Sequence, residues 1–321
     1  MSNWLLNRLF DHQKQPTPRF AFQSTINWMR GLAILVNTND FSDQSLAAHY
    51  TNVHRRNPNI TADTYVYERL LMAFHHIAAL NQFIKYSNSH YDIVRAAVVS
   101  WYYTIYESCS AMVAAASGAT SETHQGTAKI WQTEIVDQKL AVGPFALSIK
   151  NLTTSNINTV IDKLRNRVVF ELVNSPVSVD QAWGAMYSYL KGTADYKQKE
   201  IQESLKAERE FKNLGVNNFR SKAAREIRDK KFEKGFVNFA VQAFRYRGKA
   251  NYRDSIYLSY GDNNSEKITQ FVTDLKSVAH NFVKMSVYFV ARRTEAGTWD
   301  NFKLDITSRS RISIDKELLK C

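Results

Sequence analysis

AAVVSWYYTIYESCSAMVAAASG, Ala96 to Gly118, is the most apolar window of this 321-residue chain and carries one charged residue, Glu107. Its many hydroxyl groups and its want of leucine argue against a bilayer span. Apolar residues fall on every side of a 3.6-residue repeat, so the window reads as the buried central helix of a bundle.

The neighbouring segments support that reading. From Asp63 to Tyr86 the positions Val66, Leu70, Phe74, Ile77 and Ile84 recur at helical spacing, and the polar run SNSHY then breaks the chain before the apolar helix starts near Asp92. A polar turn after Gly118 leads into a third helical pattern, His124 through Lys139, closed by Gly143 and Pro144. Phe236 to Tyr246 is amphipathic. A last strong element starts at Asn264 or Ser265 and keeps Phe271, Leu275, Val278, Phe282, Met285 and Phe289 on one stripe, the seam of an antiparallel bundle or a dimer face. Eleven glycines and five prolines are each under half of average usage, and no proline follows Pro176. Residues that end elements are scarce, so the class is all-α. Beyond Arg293, alternation in FKLDI and RISI predicts a short extended pair or arm.

Two cysteines, Cys109 and Cys321, give no disulfide framework, and MSNWLLNRLFDHQKQ lacks a secretory signal pattern. A reduced, cytoplasmic location with no membrane span is expected, and the sequons at Asn59, Asn151 and Asn263 are expected to stay unglycosylated. The net charge of +12 is one-sided: residues 1–196 carry 16 Lys and Arg against 14 Asp and Glu, and residues 197–321 carry 26 against 16. Such asymmetry attracts polyanions, nucleic acid first; docking on an acidic protein partner is the alternative. Residues 197–234 hold 12 cations and 7 acids and read as a solvated helical hairpin turning at Gly215 to Asn218.

Candidate residues follow from this charge. RYRGKANYRD, Arg245 to Asp254, combines Arg245, Arg247, Lys249 and Arg253 for phosphate contact with Tyr246 and Tyr252 for base stacking, and Asn251 stands among them. The competing role is a solvated turn with Arg247 paired to a bundle carboxylate such as Glu107. Lys222, Arg225, Arg228 and Lys231 share one helix face and can track a phosphate backbone or simply solvate it. His124 stands at a helix start where a side chain can face a cleft or cap the helix. Arg69, His75 and His76 in ERLLMAFHH form a weaker arginine–histidine pattern, on a helix where Arg69 and His76 are about 10 Å apart along the axis. No metal signature, phosphate-binding glycine loop or nucleophile elbow appears, so no metal or cofactor is expected and conventional hydrolase, kinase and dehydrogenase readings lose support.

Three pieces together resemble the HEPN family, an α-helical bundle of bacterial toxins, antiviral defence proteins and nucleotidyltransferase partners. HYDIVRAAVVSWYYTIYESCSAM, with its tyrosine pair Tyr102 and Tyr103, is similar to the family's second helix. THQG, Thr123 to Gly126, is similar to the Thr-His-x-Gly that opens its next helix, and Arg247 to Tyr252 resembles the Arg-x-x-Ala-Asp-Tyr motif before its final helix. The resemblance implies a HEPN-like bundle with an inserted charged hairpin. Residues 1–62 would be an N-terminal extension, 63–147 and 236–293 the two parts of the core, 148–235 a basic helical insertion, and 294–321 a short extended tail. It also implies RNA as ligand, a homodimer, and metal-independent ribonuclease chemistry in which an arginine neutralises phosphate and a histidine moves the 2'-hydroxyl proton. The position five after Arg247 is Tyr252 rather than histidine, so the catalytic set expected from the resemblance is Arg247, Tyr252 and His124. The alternative in the same setting is a non-catalytic scaffold subunit docking a nucleotidyltransferase or defence effector. Binding of double-stranded DNA is a third reading.

Overall fold

The computed structural model describes residues 18–85, 90–165, 174–251 and 265–321, with single positions 4, 8 and 172. The described residues are helical apart from turns, loops and one two-residue strand pair, and among them no helix is long and apolar enough to cross a membrane. The all-α class stands.

Helix α1 (Pro18–Val36) buries Trp28, Met29, Leu32 and Val36, whose spacing makes one continuous face. A short α2 (Asp43–His49), capped by Ser42, leads to α3 (Ile60–Lys85), whose stripe Val66, Leu70, Phe74 and Ile77 lies inside. That face meets α4 (His90–Ser117), the apolar window. The structure places α4 at the centre, against α3 and three further helices: α5 (His124–Trp131), α10 (Phe239–Asn251) and α11 (Ser265–Arg293). Four neighbours explain why its sequence is apolar on all sides.

Between α5 and α10 the chain forms α6 (Thr154–Arg165), the long α7 (Val179–Ala207), the one-turn α8 (Arg209–Lys212) and α9 (Lys222–Glu233). The charged segment is thus a helical hairpin, turning where Gly215 takes a left-handed φ of 65°. Strand β1 (Ile149–Lys150) pairs antiparallel with β2 (Phe236–Val237), tying the two ends of this region together over a small core that includes Leu152, Ile161, Leu190 and Phe232.

The main core extends outside the regions expected from the sequence to form it. α1 packs on α7 so closely that a Cβ at Gly31 would come within 2.9 Å of Met186 and 3.2 Å of Ala185. Trp28 stacks on Tyr189 of α7 at 4.1 Å, tilts against Tyr246 of α10 at 4.8 Å and meets Trp101 of α4 edge-on at 6.0 Å. This aromatic knot joins four helices distant in sequence.

Two local expectations are corrected. FKLDI belongs to helix α12 (Thr298–Arg309), which follows Gly297 in a left-handed turn and buries Trp299 and Ile306 seven residues apart. RISI lies in irregular chain before a single 3-10 turn, Lys316–Leu319, so the C-terminal part forms no extended pair. The solvated turn weighed for RYRGKANYRD is not formed over its described part: α10 runs on through Gly248 to Asn251. A glycine inside a helix costs about 1 kcal/mol, and burial of Tyr246 and Ala250 on either side, with Arg95 Nε donating to the Ala250 carbonyl at 2.8 Å, holds the helix together.

A candidate nucleic-acid site of histidine, arginine and tyrosines

The site begins with a helix cap. Thr123, in extended backbone, accepts at Oγ1 from the Gly126 amide at 3.0 Å, and so fixes His124 as the first residue of α5. A Cβ at Gly126 would lie 2.1 Å from Ser121 Oγ and 2.8 Å from Thr123 Oγ1, so this cap needs glycine there. The pattern Thr-His-x-Gly therefore has a local physical cause: it closes the cap and aims the histidine.

His124 is half-buried. Its Nδ1 and the Tyr102 hydroxyl of α4 are 2.7 Å apart, and its ring meets Tyr106 edge-on at 4.4 Å and Phe244 of α10 at 5.2 Å. With Nδ1 engaged, Nε2 is the nitrogen left for a ligand. Burial, and then the charge of Arg247, push His124 below the ordinary imidazole range, so it is neutral at pH 7. Tyr102 is pushed far up by burial, against the pull of Arg247, and stays a phenol.

Arg247 comes from α10 and is only 9% exposed. Its guanidinium lies 5.0 Å from the Tyr102 ring and 5.0 Å from the Phe244 ring, and Nη1 donates to the Tyr103 hydroxyl at 3.3 Å. Among the described residues its Nε has no hydrogen-bond partner. The Tyr103 ring in turn stacks on His76 of α3 at 5.4 Å, and burial holds His76 below its ordinary range. The carboxylate weighed as a partner of Arg247, Glu107, takes Arg69 instead at 3.2 Å; burial raises Glu107, and Arg69 opposes that shift.

The arrangement brings Arg247 and His124 together against one tyrosine, with aromatic faces around them. Other candidates lie elsewhere. Arg245 points to α7, where Nη1 donates to Thr193 Oγ1 at 2.9 Å and the guanidinium covers Tyr189 and Tyr196 at 5.3 and 5.0 Å. Tyr246 is wholly buried in the aromatic knot, its hydroxyl donating to the Thr25 carbonyl, so it offers no stacking face to a base; that expectation is corrected. Lys249 and Asn251 are placed by the helix backbone alone, and Tyr252 and Arg253 lie outside the described residues. On α9, Lys222 and Arg225 are exposed, while Arg228 is held by Asp229 at 2.8 Å and by Phe232. His75 is exposed and apart from the cluster.

Beyond His124 and Phe244 the surface sinks into a cleft of about 510 Å³ between α5 and α10 on one side and the hairpin helices α7 and α9 on the other. Residues that sequence reasoning left out complete the site. Tyr106 had a readable signal, lying four residues after Tyr102 on the same helix face. Phe244, Lys197 and Lys234 had none, because their neighbours come from distant segments, whereas Lys231 already stood among the cations of one helix face. Among the described residues no group of His, Cys, Asp or Glu is placed to hold a metal ion. No family model, no curated protein and no solved structure matches the chain.

Proposed function

We propose that the protein engages RNA, with the His124–Tyr102–Arg247 cluster as its contact to a phosphate and to unpaired bases. The observation that carries this reading is a nine-tenths buried arginine with an unpartnered Nε beside a histidine anchored through Nδ1, both framed by Tyr103, Tyr106 and Phe244. A cation, a hydrogen-bonding imidazole and stacking faces are what unpaired RNA requires. Placement in a toxin or antiviral defence system rests on the HEPN resemblance alone.

Metal-independent cleavage is the stronger form of the proposal, and it depends on the tautomer. If Nδ1–H donates to Tyr102, Nε2 is a base for a 2'-hydroxyl; if the phenol donates, Nε2–H serves a phosphate oxygen and the site binds without proton abstraction. Incubating the protein with transfer RNA and messenger RNA, with and without chelator, tests both forms. Retention at moderate salt supports engagement and chelator-resistant scission supports cleavage; the absence of both would sink the reading.

The second reading, a non-catalytic scaffold subunit, draws on Tyr252 at the position five after Arg247 and on the burial of Arg247. It predicts co-purification with a stoichiometric protein partner and no change in that assembly's nuclease activity on loss of Arg247.

A further inference from the structure

The cleft beside His124 has two kinds of wall. Its floor is apolar, built from Ala128, Leu152, Leu205 and Val241, each at most 9% exposed, with the exposed Phe244 ring at its lip. Its rim is cationic: Lys197, Lys231 and Lys234 face one carboxylate, Glu208. Glu208 is already taken by Lys231 at 3.0 Å and Lys197 is held by Glu200 at 2.7 Å, while among the described residues Lys234 has no ion-pair partner. The rim therefore keeps a surplus of positive charge above a floor that favours a flat apolar group.

The cleft is also pre-formed. Gln198 Nε2 donates to the Leu152 carbonyl at 2.7 Å, the Leu152 amide donates to the Phe232 carbonyl at 2.7 Å, and β1 is laddered to β2. A Cβ at Gly235 would reach within 2.8 Å of Leu152, so the floor is tight against the strand that carries it. Both walls of the cleft are thus pinned to one strap, and ordering them at binding costs little.

We infer that this cleft holds a single nucleotide unit, its base on the apolar floor against Phe244 and its phosphate on the lysine rim at Lys234 and Lys197. An apolar slot closed by an aromatic face with a one-sided cationic edge matches a nucleotide and mismatches an acidic peptide, which would leave the floor unfilled. The inference rests on the reading that the chain engages RNA, since the unit is then one unpaired residue of the strand lying across His124. A free mononucleotide has the same chemistry and is the other source.

Calorimetric titration of the full chain separates the cases, using a ten-nucleotide single-stranded RNA, adenosine 5'-monophosphate and adenosine as probes. Ser204→Trp fills the cleft from the exposed side of α7 and Lys234→Glu reverses its rim. Both residues are exposed, so each variant is expected to keep the wild-type unfolding midpoint. Each variant is expected to weaken oligonucleotide binding at least tenfold, with adenosine weaker than its monophosphate. If the oligonucleotide binds wild type and Ser204→Trp equally, the inference is overturned while RNA engagement stands. If the oligonucleotide does not bind wild type, the RNA reading fails. In that case, monophosphate binding that Ser204→Trp abolishes still supports the cleft, for the free nucleotide; absence of monophosphate binding overturns it.

Discussion

Arg247 can be replaced in two ways that separate its packing from its charge. Truncation to alanine strips the Cγ and Cδ methylenes, worth about 0.8 kcal/mol each when buried. It removes two cation–ring contacts of about 0.5–1 kcal/mol each and a hydrogen bond worth about 1 kcal/mol. Against these stands relief from burying a guanidinium whose Nε has no partner, about 1–3 kcal/mol. Arg247→Ala should therefore lower unfolding free energy by about 1–4 kcal/mol, whereas Arg247→Met, which keeps the stem and drops the charge, should stay within about 1 kcal/mol of wild type. Urea unfolding followed by tryptophan fluorescence gives both values, and filter retention of labelled transfer RNA reads function in the same preparations. The expected result is a methionine variant that is folded and at least tenfold weaker for RNA. Undiminished retention would refute the assignment of Arg247 to the ligand site. A loss of more than about 3 kcal/mol in the methionine variant would show instead that the charge is structural.

Three further outcomes are expected. Tyr102→Phe keeps the ring packing, so stability should change by no more than about 1 kcal/mol, while RNA retention drops several-fold because His124 loses its anchor; equal retention would separate His124 from binding. Thr123→Ala removes the α5 cap and should cost about 1 kcal/mol in urea unfolding, and Gly126→Ala should also destabilise despite alanine's helix propensity, because its Cβ displaces the same cap. His76, His124 and His280 are held by burial below the ordinary imidazole value, so the unfolded chain takes up their protons first. Their stabilisation is full above about pH 6.5 and is lost as pH falls below it, whereas Glu107 and Asp274, raised by burial, run the opposite way: their contribution is full in acid and is lost as pH rises. In His76→Gln the loss of melting temperature between pH 7 and pH 5 should be shallower than in wild type; an unchanged slope would contradict the burial assigned to that ring.

How far the sequence carried depends on the range of the cause. The central α4 and the seam of α11 were legible because burial on all sides, or on one stripe, is written in apolar spacing over many turns. α12 was not, since FKLDI taken alone alternates and only its spacing from Trp299 shows the helical period. The start of α5 at His124 was legible from the polar turn before it, but its cap was not, since the capping oxygen is Thr123 Oγ1 and not a His124 nitrogen. RYR was misread for a geometric reason: successive residues of a helix differ by about 100°, so Arg245, Tyr246 and Arg247 leave α10 toward α7, the core and His124 respectively. Composition identified that run as cationic and aromatic, but which of its side chains reach a ligand depended on the helix continuing past Gly248. The cleft is the least legible part, because its walls come from α5, α7, α9 and α10 and no local pattern sets their register.

The knot of Trp28, Trp101, Tyr189 and Tyr246 has a consequence for how the molecule is made. Synthesis runs from the N-terminus, and Trp28 has no complete set of partners until α10 has left the ribosome. The nascent chain must therefore carry an unsatisfied aromatic face through most of its translation, a period in which holdase chaperones have something to grip. Shortening the hairpin by removing α7 would not yield a leaner bundle, because Tyr189 would leave with it and the first helix would lose the ring it stacks on.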